Sequence, residues 1–153
     1  MSHVANVEVE VKDLTLLEIA CKKLGLTLVR NQKTYAWYGK WMDDWHTKDA
    51  AVTNGYDTKD FGKCEHAIKV PNSDYEIGVV KNPNGTGYRL IFDAYDNGSG
   101  KQGKAISERL GGMHLPKLKN EYACAVTTQQ LNQQGFRVTR TSRAGKIFLK
   151  GVQ

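Results

Sequence analysis

The chain has few cysteines and no long apolar run, and each shortage excludes a class of protein. Cys21, Cys64 and Cys124 are odd in number and widely spaced, which argues against a disulfide framework and indicates a reducing cytoplasm. No apolar run approaches the roughly 18 residues that a membrane-spanning helix requires, and the first residues lack the basic and apolar regions of a secretion signal. The sequence therefore predicts one cytoplasmic domain over residues 1–153, without a membrane partner.

Acidic residues are scarce in the last third of the chain. Residues 101–153 contain 10 Lys and Arg against only Glu108 and Glu121, whereas residues 1–100 contain 12 Lys and Arg against 14 Asp and Glu. The formal net charge of +6 is therefore concentrated towards the C-terminus. Such a segment favours an anionic ligand, either a small molecule such as a nucleotide or a nucleic acid, and an ordinary solvated face is the alternative.

A short repeat organises the two ends of the chain. Residues 24–30 (LGLTLVR) recur in outline as residues 134–140 (QGFRVTR), with the same glycine, apolar alternation and arginine. Each copy follows a helix-like stretch and precedes a second strand, at residues 34–38 and 146–150. The repeat predicts two helix-plus-β-hairpin units, the second of them turning around Arg143-Ala144-Gly145.

The rest of the pattern predicts an α+β fold. Alternating apolar residues indicate strands at 4–11, 67–70, 75–81 and 88–94, and the main helices are expected behind Asp13 and Pro116. Because strands outnumber helices and most connections are short, the sequence predicts a largely antiparallel sheet with two main helices on one face.

An aromatic and acidic excursion interrupts this pattern at about residues 40–63. Trp37, Trp41 and Trp45 are spaced by four, as on one face of a helix. Exposed, Trp41, Trp45 and Tyr56 would form a platform for stacking on a base or a contact surface for a partner. One alternative is an apolar plug that covers the sheet. A mixed arrangement, with Trp37 in the sheet and Trp41 or Trp45 at a surface, is also open.

Catalytic and metal-binding motifs are missing. Cys64-Glu65-His66 lacks the paired spacings of a zinc site, so no metal, cofactor or catalytic residue is predicted. A small nucleotide-processing enzyme using His66 or His114 as acid or base stays open as an alternative.

Several segments, in order, resemble one known family. They are Met1-Ser2-His3, Lys12-Asp13-Leu14, Leu24-Gly25, Tyr75-Glu76-Ile77-Gly78 and the stretch 118–122 followed by Gly135-Phe136. The chain resembles the family of hypothetical chloroplast reading frames, number thirty-five in that series, with plastid, cyanobacterial and phage members. Residues 62–68 look most like the phage branch. The family has no known function, so the resemblance implies an origin and a fold but no reaction.

Together these features favour a non-enzymatic phage-type protein that engages or sequesters an anionic ligand in the host cytoplasm. The alternative is a protein-interaction module that inhibits or adapts a host or phage enzyme through the excursion. No oligomeric state is predicted. The candidate ligand-binding residues are Arg30 and Arg140, which are equivalent in the repeat, with Arg143, Lys146, Trp41, Trp45, Tyr56 and His66.

Overall fold

The computed structural model describes residues 4–39, 60–83 and 85–153. The elements along the chain are β1 (Val4–Val11), α1 (Leu14–Lys23), β2 (Thr27–Arg30), β3 (His66–Lys69), β4 (Ile77–Lys81), β5 (Tyr88–Asp93), α2 (Gly103–Leu110), α3 (Pro116–Gln133), β6 (Arg137–Arg143) and β7 (Lys146–Val152). The predicted α+β class is confirmed.

The main sheet has five strands in the order β1-β5-β4-β3-β2, and every neighbouring pair is antiparallel. One face packs against the helices, because alternate residues of the strands are apolar. Val7, Ile68, Val79 and Phe92 are fully buried there, in one cluster with residues of α1, α2 and α3. The two main helices therefore lie on one face, as predicted.

Loop residues cover the second face of the sheet. Tyr35, Phe61 and Cys64 are buried against Ala67 and Ile91. The Trp37 indole packs edge-on against Phe61, with ring centroids 6.0 Å apart. Trp37 therefore belongs to a layer over the sheet and lies outside any named strand. Trp41, Trp45 and Tyr56 lie outside the described residues.

The repeat is visible at the ends of α1 and α3. Gly25 and Gly135 follow these helices with φ of +73° and +89°, a conformation in which a side chain would be strained. The amide after each glycine donates to a carbonyl in the last helical turn, at 2.8 Å in the first copy and 3.0 Å in the second. Both glycines thus end their helices in the same hydrogen-bonded motif.

The predicted first hairpin is wrong. β2 pairs with β3, and from residues 34–38 only Thr34 forms a bridge, with Lys63. Asn31 adopts a left-handed conformation with φ of 65°, so the chain leaves the sheet after Arg30 and crosses its second face. The second hairpin does form, but β6 and β7 make a two-stranded sheet of their own.

Candidate anion-binding surface

A two-residue turn fixes the geometry of the C-terminal hairpin. Ala144 and Gly145 both have positive φ, 54° and 75°, as in the tight turns whose twist suits a β-hairpin. The resulting register places Arg143 opposite Lys146, and Phe148 opposite Thr141. The turn predicted at these residues is therefore confirmed.

Register and alternation divide the hairpin into two faces. The inner face carries Val138, Arg140 and Ser142 on β6 and Ile147, Leu149 and Gly151 on β7; all of these except Arg140 and Ser142 are partly covered. The outer face is exposed along its whole length, and we call it the basic face. Its residues are Arg137, Thr139, Thr141 and Arg143 on β6 and Lys146, Phe148, Lys150 and Val152 on β7.

An ion pair holds the inner face on α3. Arg140 donates through both terminal nitrogens to the two carboxylate oxygens of Glu121, and the Nη1–Oε2 distance is 2.8 Å. Only 8% of the Glu121 side chain is exposed, against 31% for Arg140. The hydrogen bonds from Arg140 lower the pKa of Glu121, and the same contact raises the pKa of Arg140. We therefore assign Arg140 a positioning role in the hairpin.

The cations of the basic face lack such partners in the part of the chain that the structure describes. The sequence contains no Asp or Glu after Glu121, and within the described segments no carboxylate forms an ion pair with Arg137, Arg143, Lys146 or Lys150. Arg143 and Lys146 are a cross-strand pair, and like charges directly opposite each other destabilise a sheet. The described residues thus leave the positive charge of the basic face unneutralised.

Arg30 is held much like its counterpart in the second copy. Its Nε lies 3.5 Å from Glu18 Oε2, and its Nη2 donates to Thr15 Oγ1 at 3.2 Å, both on α1. In each copy the arginine of the repeat therefore binds a glutamate on the preceding helix. The structure places Arg30 against α1 and Arg140 against α3, so it does not bring the two arginines to one site. Their role in anion contact stays a prediction.

His66 is buried beside the start of β3, with 7% of its surface exposed. Its Nδ1 accepts the Asn31 N–H at 2.9 Å, and its ring packs edge-on against Tyr88. Burial, with smaller contributions from Lys33 and Arg30, lowers the pKa of His66 below its ordinary 6.5. The imidazole is therefore neutral at pH 7, and it serves the fold by accepting a backbone hydrogen bond.

Cys64 does not form a nucleophile with His66. Its thiol donates to the Gln32 carbonyl at 3.1 Å within the layer on the second face, while His66 shares a strand face with Ile68 on the helix side. Burial, reinforced by Glu76 and Glu65, raises the pKa of the Cys64 thiol to about 12. Among the described residues, no group of three His, Cys, Asp or Glu could hold a metal ion.

Two cavities offer less positive charge than the basic face. A groove of about 410 Å³ between α1 and α3 is lined by one cation, Lys23, and one carboxylate, that of Glu121. A second cavity, about 320 Å³ on the second face of the sheet, carries two carboxylates and two lysines. Neither has the excess of positive charge that an anion requires.

Of the basic face, the site predicted from the sequence includes only Arg143 and Lys146, so it lacks the cations Arg137 and Lys150 and the aromatic residue Phe148. The signal that could have found them is the two-residue turn at Ala144 and Gly145. Once that turn sets the register, the alternation of side chains along each strand places Arg137, Arg143, Lys146 and Lys150 on one face, around Phe148.

Comparison with known proteins returned no family model, no curated protein and no solved structure that matches this chain. The resemblance to the chloroplast reading-frame family therefore stays a prediction. In the part of the chain that the structure describes, no helix is both long and apolar enough to span a membrane.

Proposed function

We propose that this chain is a non-enzymatic binding protein that engages nucleic acid through the basic face of its C-terminal hairpin. The observation that carries the proposal is the set of four cations on one exposed face, none of them paired with a carboxylate of the described residues. Following the resemblance, we place this activity in a phage protein acting in the host cytoplasm.

The shape of the basic face favours a polymer over a single nucleotide. From Arg137 to Arg143 the ribbon extends about 20 Å, at roughly 3.3 Å for each residue of a strand. Small ligands are usually bound in concave pockets, and neither cavity described above is lined by a hairpin residue. A nucleic acid backbone can contact all four cations at once, and each contact with a phosphate releases a bound counterion.

The test is a titration of labelled oligonucleotides at several salt concentrations, followed by fluorescence anisotropy. Four phosphate contacts predict a slope of log affinity against log salt of about −2.8 for single strands and about −3.6 for duplex DNA. Affinity should therefore fall about 50- to 150-fold between 50 and 200 mM salt. Absence of binding at 50 mM salt, or binding that salt does not weaken, would overturn the proposal.

Two matched double variants distinguish the contribution of the basic face to binding from the effect of the protein's net charge. Lys146→Gln with Lys150→Gln removes two cations of the basic face, and the slope should become shallower by about 1.4 to 1.8. Lys22→Gln with Lys104→Gln removes the same charge from exposed ion pairs on α1 and α2. The control should keep the parent slope, and an equal loss in both variants would contradict a localised site.

A further inference from the structure

Phe148 occupies the centre of the basic face and exposes 51% of its surface. Thr141 lies opposite it, and Lys146 and Lys150 flank it two residues away on the same face. Its chain neighbours Ile147 and Leu149 point to the inner face and are partly covered. The hairpin therefore places its aromatic ring away from α3, on the side whose cations pair with no carboxylate of the described residues.

We propose that the basic face binds single-stranded nucleic acid, with one base stacked on Phe148 and the flanking phosphates on Lys146 and Lys150. This inference rests on the proposed function and names the form of nucleic acid that the site selects. Residues two apart on a strand lie about 7 Å from each other. A nucleoside on the ring would therefore direct its two neighbouring phosphates towards the lysines.

Stacking on Phe148 makes the affinity depend on whether the nucleic acid is single-stranded or a duplex. In single-stranded nucleic acid a base can lie against an aromatic side chain, and every base has a face to offer, so such binding tolerates many sequences. In a duplex both faces of each base are already stacked, and a base must be released before it can reach Phe148. The cations attract either form, whereas the ring adds affinity for the single strand alone.

The experiment compares Phe148→Ala with the parent on a single-stranded 12-mer, a duplex of the same sequence and a 12-mer with abasic sites. Loss of one stacked base should weaken single-strand binding by about 5- to 150-fold. Duplex affinity should change less than about twofold, and the salt slope should stay the same, because no cation is removed. The abasic 12-mer should bind parent and variant alike.

Two further variants control the result. Met113→Ala removes an equally exposed apolar side chain that lies outside the basic face, and it should keep single-strand affinity. Phe148→Trp should restore the affinity that Phe148→Ala loses. Circular dichroism and thermal unfolding check that each variant is folded.

The outcomes separate this inference from the proposed function. Salt-dependent binding that is equally strong with Phe148→Ala overturns the stacking role and leaves the proposed function standing. No salt-dependent binding of any oligonucleotide overturns both. If Phe148→Ala only converts a dimer into a monomer in sedimentation, and single-strand affinity stays the same, the ring is a self-association contact and the inference is wrong.

Discussion

Arg140→Met tests whether a single ion pair holds the C-terminal hairpin on α3. The substitution leaves the Glu121 carboxylate in place, and only 8% of that side chain is exposed. Leaving one charge of a fully buried pair without its partner costs about 3–5 kcal/mol. Because 31% of the Arg140 side chain is exposed, water can replace part of it, and we expect a loss of about 2–3 kcal/mol. Urea denaturation at pH 7 measures the free energy of unfolding.

The repeat supplies a matched control in Arg30→Met. Arg30 pairs with Glu18 at the equivalent place in the first copy, but 43% and 34% of the two side chains are exposed. An exposed pair of this kind contributes about 0–1 kcal/mol. A loss of stability in Arg140→Met no larger than that in Arg30→Met would refute this role of the Arg140–Glu121 pair. A double-mutant cycle with Glu121→Gln then separates the coupling of the pair from other effects of each substitution.

The pH dependence of the Glu121 pair has a defined sign. Arg140 lowers the pKa of Glu121 below its ordinary 4.5, so the stabilisation is fully present above that value and is lost as the pH falls through the folded pKa. The parent and Glu121→Gln should therefore differ in unfolding free energy by a constant amount above about pH 6. The difference should shrink below about pH 4.5, and a difference that grows on acidification would contradict the assignment.

Three smaller predictions concern the main sheet and the thiols. In Gly78→Ala the new Cβ would lie 2.5 Å from Tyr35 Cδ1, so we expect a loss of about 1–3 kcal/mol, seen as a lower Tm. Burial lowers the pKa of His66, so on acidification the imidazole binds a proton in the unfolded chain before it does so in the folded one. The free energy of unfolding should therefore fall below about pH 6.5, by at most about 1.4 kcal/mol per pH unit. His66→Gln should remove this part of the pH dependence. A thiol titration of the native protein at pH 8 should label Cys124, since the two other cysteines are buried with pKa values raised to about 12; rapid labelling of Cys64 would contradict this.

Features set by a few neighbouring residues could be predicted from the sequence. Asp13 caps α1 by accepting the amides of Thr15 and Leu16, at 2.9 and 3.1 Å, as its position before an apolar helix indicates. Gly25 and Gly135 end their helices for the same local reason. Each of these contacts spans at most a few residues, so composition and order are sufficient to identify them.

Features set by distant contacts could not be predicted. Residues 34–38 are rich in strand-forming types, yet Tyr35 packs over Gly78, which is far away in the chain. The Asn31 amide likewise depends on the His66 ring, 35 residues away. The sequence shows that the C-terminal third is basic. It does not show which cation is neutralised, because Arg140 and Glu121 are 19 residues apart and meet only in the folded chain.

The C-terminal hairpin carries two structural costs, and these link its folding to ligand binding. A two-stranded hairpin without further strands is marginally stable in water, so this one depends on Arg140 and its contact with α3. The cross-strand pair of Arg143 and Lys146 then adds like-charge repulsion. A polyanion would relieve that repulsion, so binding and hairpin order should reinforce each other. Arg140→Met should therefore weaken oligonucleotide binding with an unchanged salt slope, although Arg140 lies on the inner face. A shallower slope would instead make Arg140 a phosphate contact.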